Sequence, residues 1–316
     1  MKFAAIITKP RRGLPGWLPP VCCAVWILWL AGAPAVARAD RPQDEDGQGK
    51  LVRIGSMENR QLEELSGLAF SKRSRDILWA INDGGHGAVV YAAAVDGTDL
   101  ASIRIGRARN VDWEDLASFS YADKHYLMIA DVGDNNHTRS EYSLYVVEEP
   151  APRKIRARRV QELPVAWQID FRYEDGPRDC EAIAVDSAEE KIYLLSKSLF
   201  SSRLYELPLV SSPRQPVQVA RALGRIPRFS LVTAMDIAAD STTALVLTYQ
   251  HPYLLERNAG ESWASGLQSP PRQLRAPALF QAEAACFDFQ ADSVYISSEG
   301  SPAPLVRIFL PDLHQR

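Results

Sequence analysis

The sequence predicts an all-β fold, a β-propeller of five four-stranded blades whose last blade is closed by an N-terminal strand, with six blades as the runner-up. Three observations predict it. Five segments repeat a small strand-like core, each is followed by further β-rich runs in a nearly constant register, and an orphan strand stands upstream of the first repeat.

The cores are Ser66-Gly-Leu-Ala-Phe, Glu114-Asp-Leu-Ala-Ser, Glu181-Ala-Ile-Ala-Val, Met235-Asp-Ile-Ala-Ala and Glu283-Ala-Ala-Cys-Phe, starting 48, 67, 54 and 48 residues apart. Second β-rich runs follow at Ile77 to Asp83, Tyr126 to Asp131, Lys191 to Lys197, Ala244 to Gln250 and Ser293 to Glu299. Third runs carry Tyr91, Tyr145 and Tyr205, with a compressed one at Tyr253 to Leu255 and a last one at Leu305 to Leu310. Fourth strands fit Leu100 to Ile105, Leu163 to Phe171 and Val217 to Leu223. Only 33 residues follow Glu283, room for three strands, so Leu51 to Ile54 is expected to complete the last unit and leave no exposed edge. The long second unit is where a sixth blade would hide.

The N-terminus reads as an export signal. Lys2, Lys9, Arg11 and Arg12 precede an apolar run from Val21 to Ala33, and Ala37-Arg38-Ala39 offers a cleavage site. The run of 13 residues falls short of a membrane span, so residues 1–39 are expected to leave, residues 40–50 to be flexible and residues 51–316 to form one domain in the periplasm or outside the cell. That segment holds five of the 36 Lys/Arg and none of the 39 Asp/Glu, leaving 31 − 39 = −8 on the rest. Such a charge disfavours a nucleic-acid partner. Cys180 and Cys286 fall in different registers of non-adjacent units, and two free thiols are expected.

A propeller would turn the repeat register into a site. Ser66, Glu114, Glu181, Met235 and Glu283 would face one another across one end of the channel, and three converging carboxylates need neutralising. Protonation is one answer. A hard divalent cation is the better one, Ca²⁺ first and Mg²⁺ second, held by Ser66, Glu114, Glu181 and Glu283, while no His or Cys pair has zinc spacing. The ends of the second strands would bring Asn82, Asp83, Asp131, Asp134, Lys197, Gln250 and Glu299 to the same mouth, with glycine-rich turns at Asp83-Gly-Gly-His-Gly and Gly133-Asp-Asn-Asn-His-Thr-Arg. Asp83, Asp131, Asp134, Arg139 and Lys197 are the candidate catalytic residues, the two cations as anion contacts. Asp112 and Asp115 flank Glu114 and could orient its carboxylate or support the ligands from behind. His86, His137 and His251 have no visible triad partner, and no serine-hydrolase elbow or nucleotide loop occurs.

Glu64-Leu-Ser-Gly-Leu-Ala-Phe, Asn82-Asp83-Gly, Asp112-Trp-Glu-Asp-Leu-Ala, Asp131-Val-Gly-Asp-Asn, Asp179-Cys-Glu-Ala-Ile-Ala and Glu283-Ala-Ala-Cys resemble the exported bacterial proteins grouped as phytase-like propellers. The blade starts are also similar to those of the five-bladed calcium-activated nucleotidases (apyrases). That resemblance implies a central calcium on Ser66, Glu114, Glu181 and Glu283, with Met235 departing from the pattern. The acidic Asp-Asp-Pro start of the β-propeller phytases is absent. The resulting expectation is an exported, Ca²⁺-centred hydrolase of a phosphorylated small molecule. The rivals are a non-catalytic propeller that binds a glycan, peptide or envelope protein, and a metal-dependent lactonase or esterase. Whether the chain is an enzyme stays open at this point.

Overall fold

The computed structural model describes residues 47–212 and 216–310. The chain is all-β. The expected export segment and residues 40–46 lie outside the described residues, as do residues 311–316 at the end of the expected domain. Among the described residues no helix is long and apolar enough to cross a membrane.

The first strand, β1 (Lys50–Ser56), begins one residue before the segment expected from sequence and includes the last residue of the stretch expected to be flexible. Four meanders follow. They are β2 (Leu65–Phe70), β3 (Ile77–Asn82), β4 (Val89–Ala94) and β5 (Asp99–Gly106), then β6 (Trp113–Tyr121), β7 (Lys124–Asp131), β8 (Tyr142–Glu148) and β9 (Glu162–Tyr173). The next two are β10 (Cys180–Asp186), β11 (Lys191–Ser196), β12 (Ser202–Pro208) and β13 (Gln218–Ile226), then β14 (Val232–Ile237), β15 (Thr243–Thr248), β16 (Pro252–Glu256) and β17 (Arg272–Gln273). The remaining strands, β18 (Ala282–Phe287), β19 (Ser293–Ser298) and β20 (Pro304–Phe309), are joined by β1 in the order β1-β20-β19-β18. Leu51 lies opposite Ile308 and Val52 opposite Arg307, the pairing expected of the orphan strand.

The first strands of successive units adjoin: β2 beside β6, β6 beside β10, β10 beside β14, β14 beside β18, and β18 beside β2. A separate apolar cluster fills each of these five junctions. These strands are therefore covered on both faces, which explains why their cores read as short apolar runs rather than as alternating patterns. Antiparallel alternation places three things at one end: the start of every first strand, every loop between second and third strands, and every connection to the next unit. That end is called the mouth below.

Two departures from regularity have local causes. The long second unit spends its extra residues on the 12-residue β9 and on α1 (Pro152–Arg156), not on further strands. β9 is long enough to run parallel to β5 at one end and to β13 at the other. The compressed fourth unit ends in the two-residue β17, after the short helix α2 (Trp263–Gly266). Cys180 and Cys286 are buried free thiols; the Cys180 Sγ lies 3.2 Å from the Leu195 carbonyl.

Candidate functional site

Each first strand carries a β-bulge near its mouth end. The register shifts fall between Leu65 and Gly67, Trp113 and Asp115, Cys180 and Ala182, Val232 and Ala234, and Ala282 and Ala284. A bulge sets two residues against one and re-aims a side chain. The bulged residues are thus Ser66, Glu114, Glu181, Thr233 and Glu283. This corrects the expected register of the fourth unit: the counterpart of the glutamates is Thr233, whereas Met235 is buried in the cluster between the third and fourth units.

The two hydroxyl bulge residues behave alike. Ser66 Oγ donates to the Trp113 carbonyl at 2.9 Å, and Thr233 Oγ1 donates to the Ala282 carbonyl at 2.8 Å. Each reaches the residue just before the next unit's bulged glutamate. Ser66 therefore directs its proton to a junction between units, which leaves its oxygen lone pairs available at the bulge.

Acidic side chains converge in two groups that share Glu114. Asp83, Asp112 and Glu114 form one, and Glu114, Asp179 and Glu181 the other, with a carboxylate oxygen from each member within 4.8 Å of the others. At that separation and an effective dielectric near 20, each ionised pair repels by about 3 kcal/mol. Asp112 and Asp179 both stand two residues before a bulge, as does Glu64. In the fourth and fifth units that place belongs to Leu231 and Gln281, which adopt the left-handed backbone region, φ 52 and 48. The acidic pattern is thereby confined to the first three units.

Gly133 lets the cluster form. A Cβ there would lie 2.1 Å from Glu114 Oε1 and 2.5 Å from Asp112 Oδ2. Gly84 does the same on the other side, where a Cβ would meet Asp112 Oδ1 at 2.6 Å. Gly133→Ala is expected to displace the Asp112 and Glu114 carboxylates and weaken divalent-cation binding at least tenfold, read by titration calorimetry. Wild-type affinity in that variant would show that the turn does not support the cluster.

One cation enters the cluster from the side. Lys197 Nζ lies 2.9 Å from Glu181 Oε1 and 5.0 Å from the centre of the Tyr249 ring. The lysine expected as an anion contact is thus already paired with a carboxylate of its own unit. Burial is the largest single influence and opposes its charge, but Glu181, the Tyr249 hydroxyl and Glu283 together raise its pKa. Among the carboxyls, burial comes first in every case. It pushes Asp112 up to about 6, with help from Asp83. It pushes Glu181 up to about 7 despite Lys197, and Glu283 up to about 8 despite Lys197. Burial together with Glu181 raises Glu114 well above the ordinary carboxyl range. Asp83 is likewise raised by burial.

Other sequence-expected residues are present at the mouth but spend their polar groups on the scaffold. Asp131 pairs with Arg139 at 2.8 Å and accepts from the Val111 and Asp112 amides at 3.3 and 3.2 Å. Arg139 Nη1 donates to the Gly133 carbonyl at 2.8 Å. Asp134 accepts from the Thr138 and Arg139 amides at 2.8 and 3.0 Å and from the Tyr142 hydroxyl at 2.8 Å. Asp131, Asp134 and Arg139 therefore hold the Gly133 turn in place. Asp115 braces the scaffold as well. Its carboxylate accepts from the Ile183 and Leu116 amides at 2.8 Å each and from Met235 N at 3.4 Å, so it ties strands together rather than orienting Glu114. Gln250 remains in its own turn, its amide donating to Thr248 Oγ1.

The donor set suits a hard cation: carboxylates close together, no Cys or His in either group, and Lys197 paired with Glu181 at the edge. Asn82 Oδ1, opposite the Ser66 bulge, adds a buried oxygen with no hydrogen-bond partner. Asp179 was quoted in a motif but not expected as a site residue; the recurring acid two residues before the bulge was the signal for it.

Asp179 and Lys197 also line a cavity of about 230 Å³ whose other charged walls are Arg178, Arg203 and Arg225, with His137 at its side. Arg178 and Arg203 share Asp175, and Arg225 Nη1 donates to Ser201 Oγ at 3.1 Å. The second acidic group thus adjoins a cation-rich hollow through its member Asp179 and through Lys197, the partner of Glu181.

No family model matches the chain, and no curated protein does. Among solved structures the chain is similar to the crystal structure of the major Malassezia sympodialis allergen Mala s 1, with 9% sequence identity over 84% of this chain and 97% of that one, at a TM-score of 0.52. A nidogen/laminin complex aligns at 12% identity over 75% of this chain and 73% of that one, at a TM-score of 0.42. The first likeness speaks to the fold alone.

Proposed function

We propose that the chain is an exported, phytase-like five-bladed β-propeller that holds a divalent cation at its mouth, Ca²⁺ in first place and Mg²⁺ second, and hydrolyses a phosphorylated small molecule. The neighbour relations of the first strands and the pairing of β1 with β20 support five blades. The observation that carries the function is the adjacency of the Glu114, Asp179 and Glu181 group to the Arg178, Arg203 and Arg225 hollow. Asp83, Asp112, Glu114, Asp179 and Glu181 would hold the cation, with Glu283 at the margin. A bound cation of this kind polarises a phosphoryl oxygen and lowers the pKa of water. The arginines would hold the ester's negative charge, and Lys197 keeps Glu181 in place.

A second reading, a non-catalytic binding propeller, is favoured by a different observation. Val111, Leu199, Phe200 and Phe280 are 57, 70, 86 and 85% exposed and all lie on mouth loops. Apolar groups around a polar centre suit a protein or peptide partner. A panel of nucleotides, sugar phosphates, aryl phosphates and aryl esters, each assayed with calcium and with chelator, separates the readings. Phosphate release that chelator abolishes and that Arg203→Ala reduces at least tenfold is expected from the hydrolase. Calcium binding without turnover of any phosphoester would leave the binding protein, and ester cleavage alone would point to a lactonase or esterase.

A further inference from the structure

The end opposite the mouth carries charges that the candidate site does not use. The loop from β2 to β3 supplies Lys72, Arg73 and Arg75, and the connection from β8 to β9 supplies Arg153, Lys154, Arg156, Arg158 and Arg159. The two segments adjoin. Arg73 pairs with Glu148 at 3.4 Å, Arg156 pairs with Asp76, and the Lys72 amide donates to Glu149 Oε2 at 3.1 Å. Ile155 is fully buried in the cluster between the first and second units and fixes α1, so the cations around it stand exposed on a turn that does not need them for packing.

Between the segments lies an open groove of about 920 Å³ walled by Arg73, Arg153, Lys154 and Arg159 and by the acids Glu148, Glu149 and Glu162. The acids are already engaged: Glu148 pairs with Arg73 and Lys124, Glu149 accepts from Ser71, Trp79 and the Lys72 amide, and Glu162 pairs with Arg104. Arg156 and Arg158 are matched by Asp76 and Asp99, but no ion pair engages Arg153, Lys154 or Arg159 among the described residues. The formal −8 of residues 40–316 conceals this sector, because a net charge averages it with the acidic mouth and with acids such as Glu189, Glu190, Asp288 and Asp292 on the other loops of the same end.

We propose that this groove binds a linear anionic polysaccharide, whose carboxylates or sulfates meet the guanidinium and ammonium groups in turn. Charge-assisted contacts of this kind are the strong ones, and a groove admits an extended polymer. None of the exposed large apolar side chains lines the groove, whereas a bilayer-binding face buries apolar groups in the headgroup region. No aromatic ring lines it either, which removes the stacking platform that single-stranded nucleic acids use. The proposal is independent of the cation at the mouth.

The test uses the full chain in chelator, titrated with hyaluronan as the carboxylate polymer, heparin as the sulfate polymer, neutral dextran, a DNA oligonucleotide and anionic phospholipid vesicles. Binding to hyaluronan or heparin that weakens steeply with salt, with none to dextran, is expected. The triple variant Arg153→Ser, Lys154→Ser, Arg159→Ser should lower that affinity at least tenfold at an unchanged melting temperature, and the single variant Lys154→Glu should lower it several-fold. The double variant Arg53→Ser, Arg60→Ser, which removes exposed cations elsewhere, should bind as wild type. Failure to bind either polymer at 50 mM salt, as an order of magnitude for weak screening, would overturn the proposal. So would wild-type affinity in the triple variant, or tighter binding to DNA or vesicles than to both polymers.

Discussion

Calcium is expected to raise the melting temperature by roughly 5–11 °C at 100 times its Kd, since a ligand bound only by the folded state then adds about 2.7 kcal/mol and each kcal/mol is worth about 2–4 °C at this size. Glu114→Gln should remove most of that gain. In chelator the same variant should melt higher than wild type, because Glu114 stands in both carboxylate groups and its loss relieves the repulsion. Glu181→Gln is the less clean variant, since it also strips Lys197 of its partner. The pH dependence has a definite sign. Asp112, Glu181 and Glu283 titrate at about 6, 7 and 8 in the folded chain, above their ordinary values. Their contribution in chelator is complete below the unfolded carboxyl range, about 4, and is lost as pH rises through the folded values. The melting temperature in chelator should therefore fall between pH 5 and 8, and saturating calcium, which replaces the protons, should flatten the fall. Equal melts with calcium and chelator across that range would remove the cation from the proposed function.

Much of this was legible in the sequence, and what was not has physical reasons. Strand positions were readable because each element repeats a short apolar core at a spacing set by four strands and their turns. The orphan strand was readable by arithmetic. Register within a strand was harder. Met235-Asp-Ile-Ala resembles Glu181-Ala-Ile-Ala in its last residues, and that likeness drew the alignment two residues away from Thr233. The bulge is a backbone event with no obligatory residue, so a hydroxyl, a carboxylate or either spacing satisfies the pattern.

The site was legible as a set of acids, not as a set of roles. Asp131, Asp134 and Arg139 reach the mouth as the turn-rich sequence suggested, yet short polar side chains in turns are drawn first to nearby amides. Asp179 was hidden because an acid before a strand reads as turn chemistry until two such acids are seen against one glutamate. Lys197 could be placed at the mouth from its strand, but its pairing with Glu181 depends on how the bulge re-aims the glutamate toward the end of the neighbouring strand β11. The basic sector was invisible to net charge because residues far apart in sequence share a face only once α1 is pinned by Ile155.

Asp115→Ala is expected to be the most destabilising single substitution among the mouth carboxylates, and to act by a route opposite to that of its neighbour Glu114. The Asp115 side chain is about 1% exposed and accepts amides from β6, β10 and β14, three strands that must stay at fixed separations for Glu114 and Glu181 to meet. Burial raises its pKa well above the ordinary value even against those amides, so no metal is needed to explain a carboxyl there. Removing the acceptor leaves buried amides unpaired, at roughly 1–3 kcal/mol each, and a total loss of about 3–5 kcal/mol lowers the melting temperature by roughly 6–20 °C. The loss should be the same in calcium and in chelator, whereas Glu114→Gln changes sign between them. Asp115→Asn keeps one acceptor oxygen and should fall between wild type and Ala, with calcium affinity within a few-fold of wild type. A folded Asp115→Asn protein that no longer binds calcium would show instead that Asp115 belongs to the cation site and that the division between bracing and binding carboxylates is drawn in the wrong place.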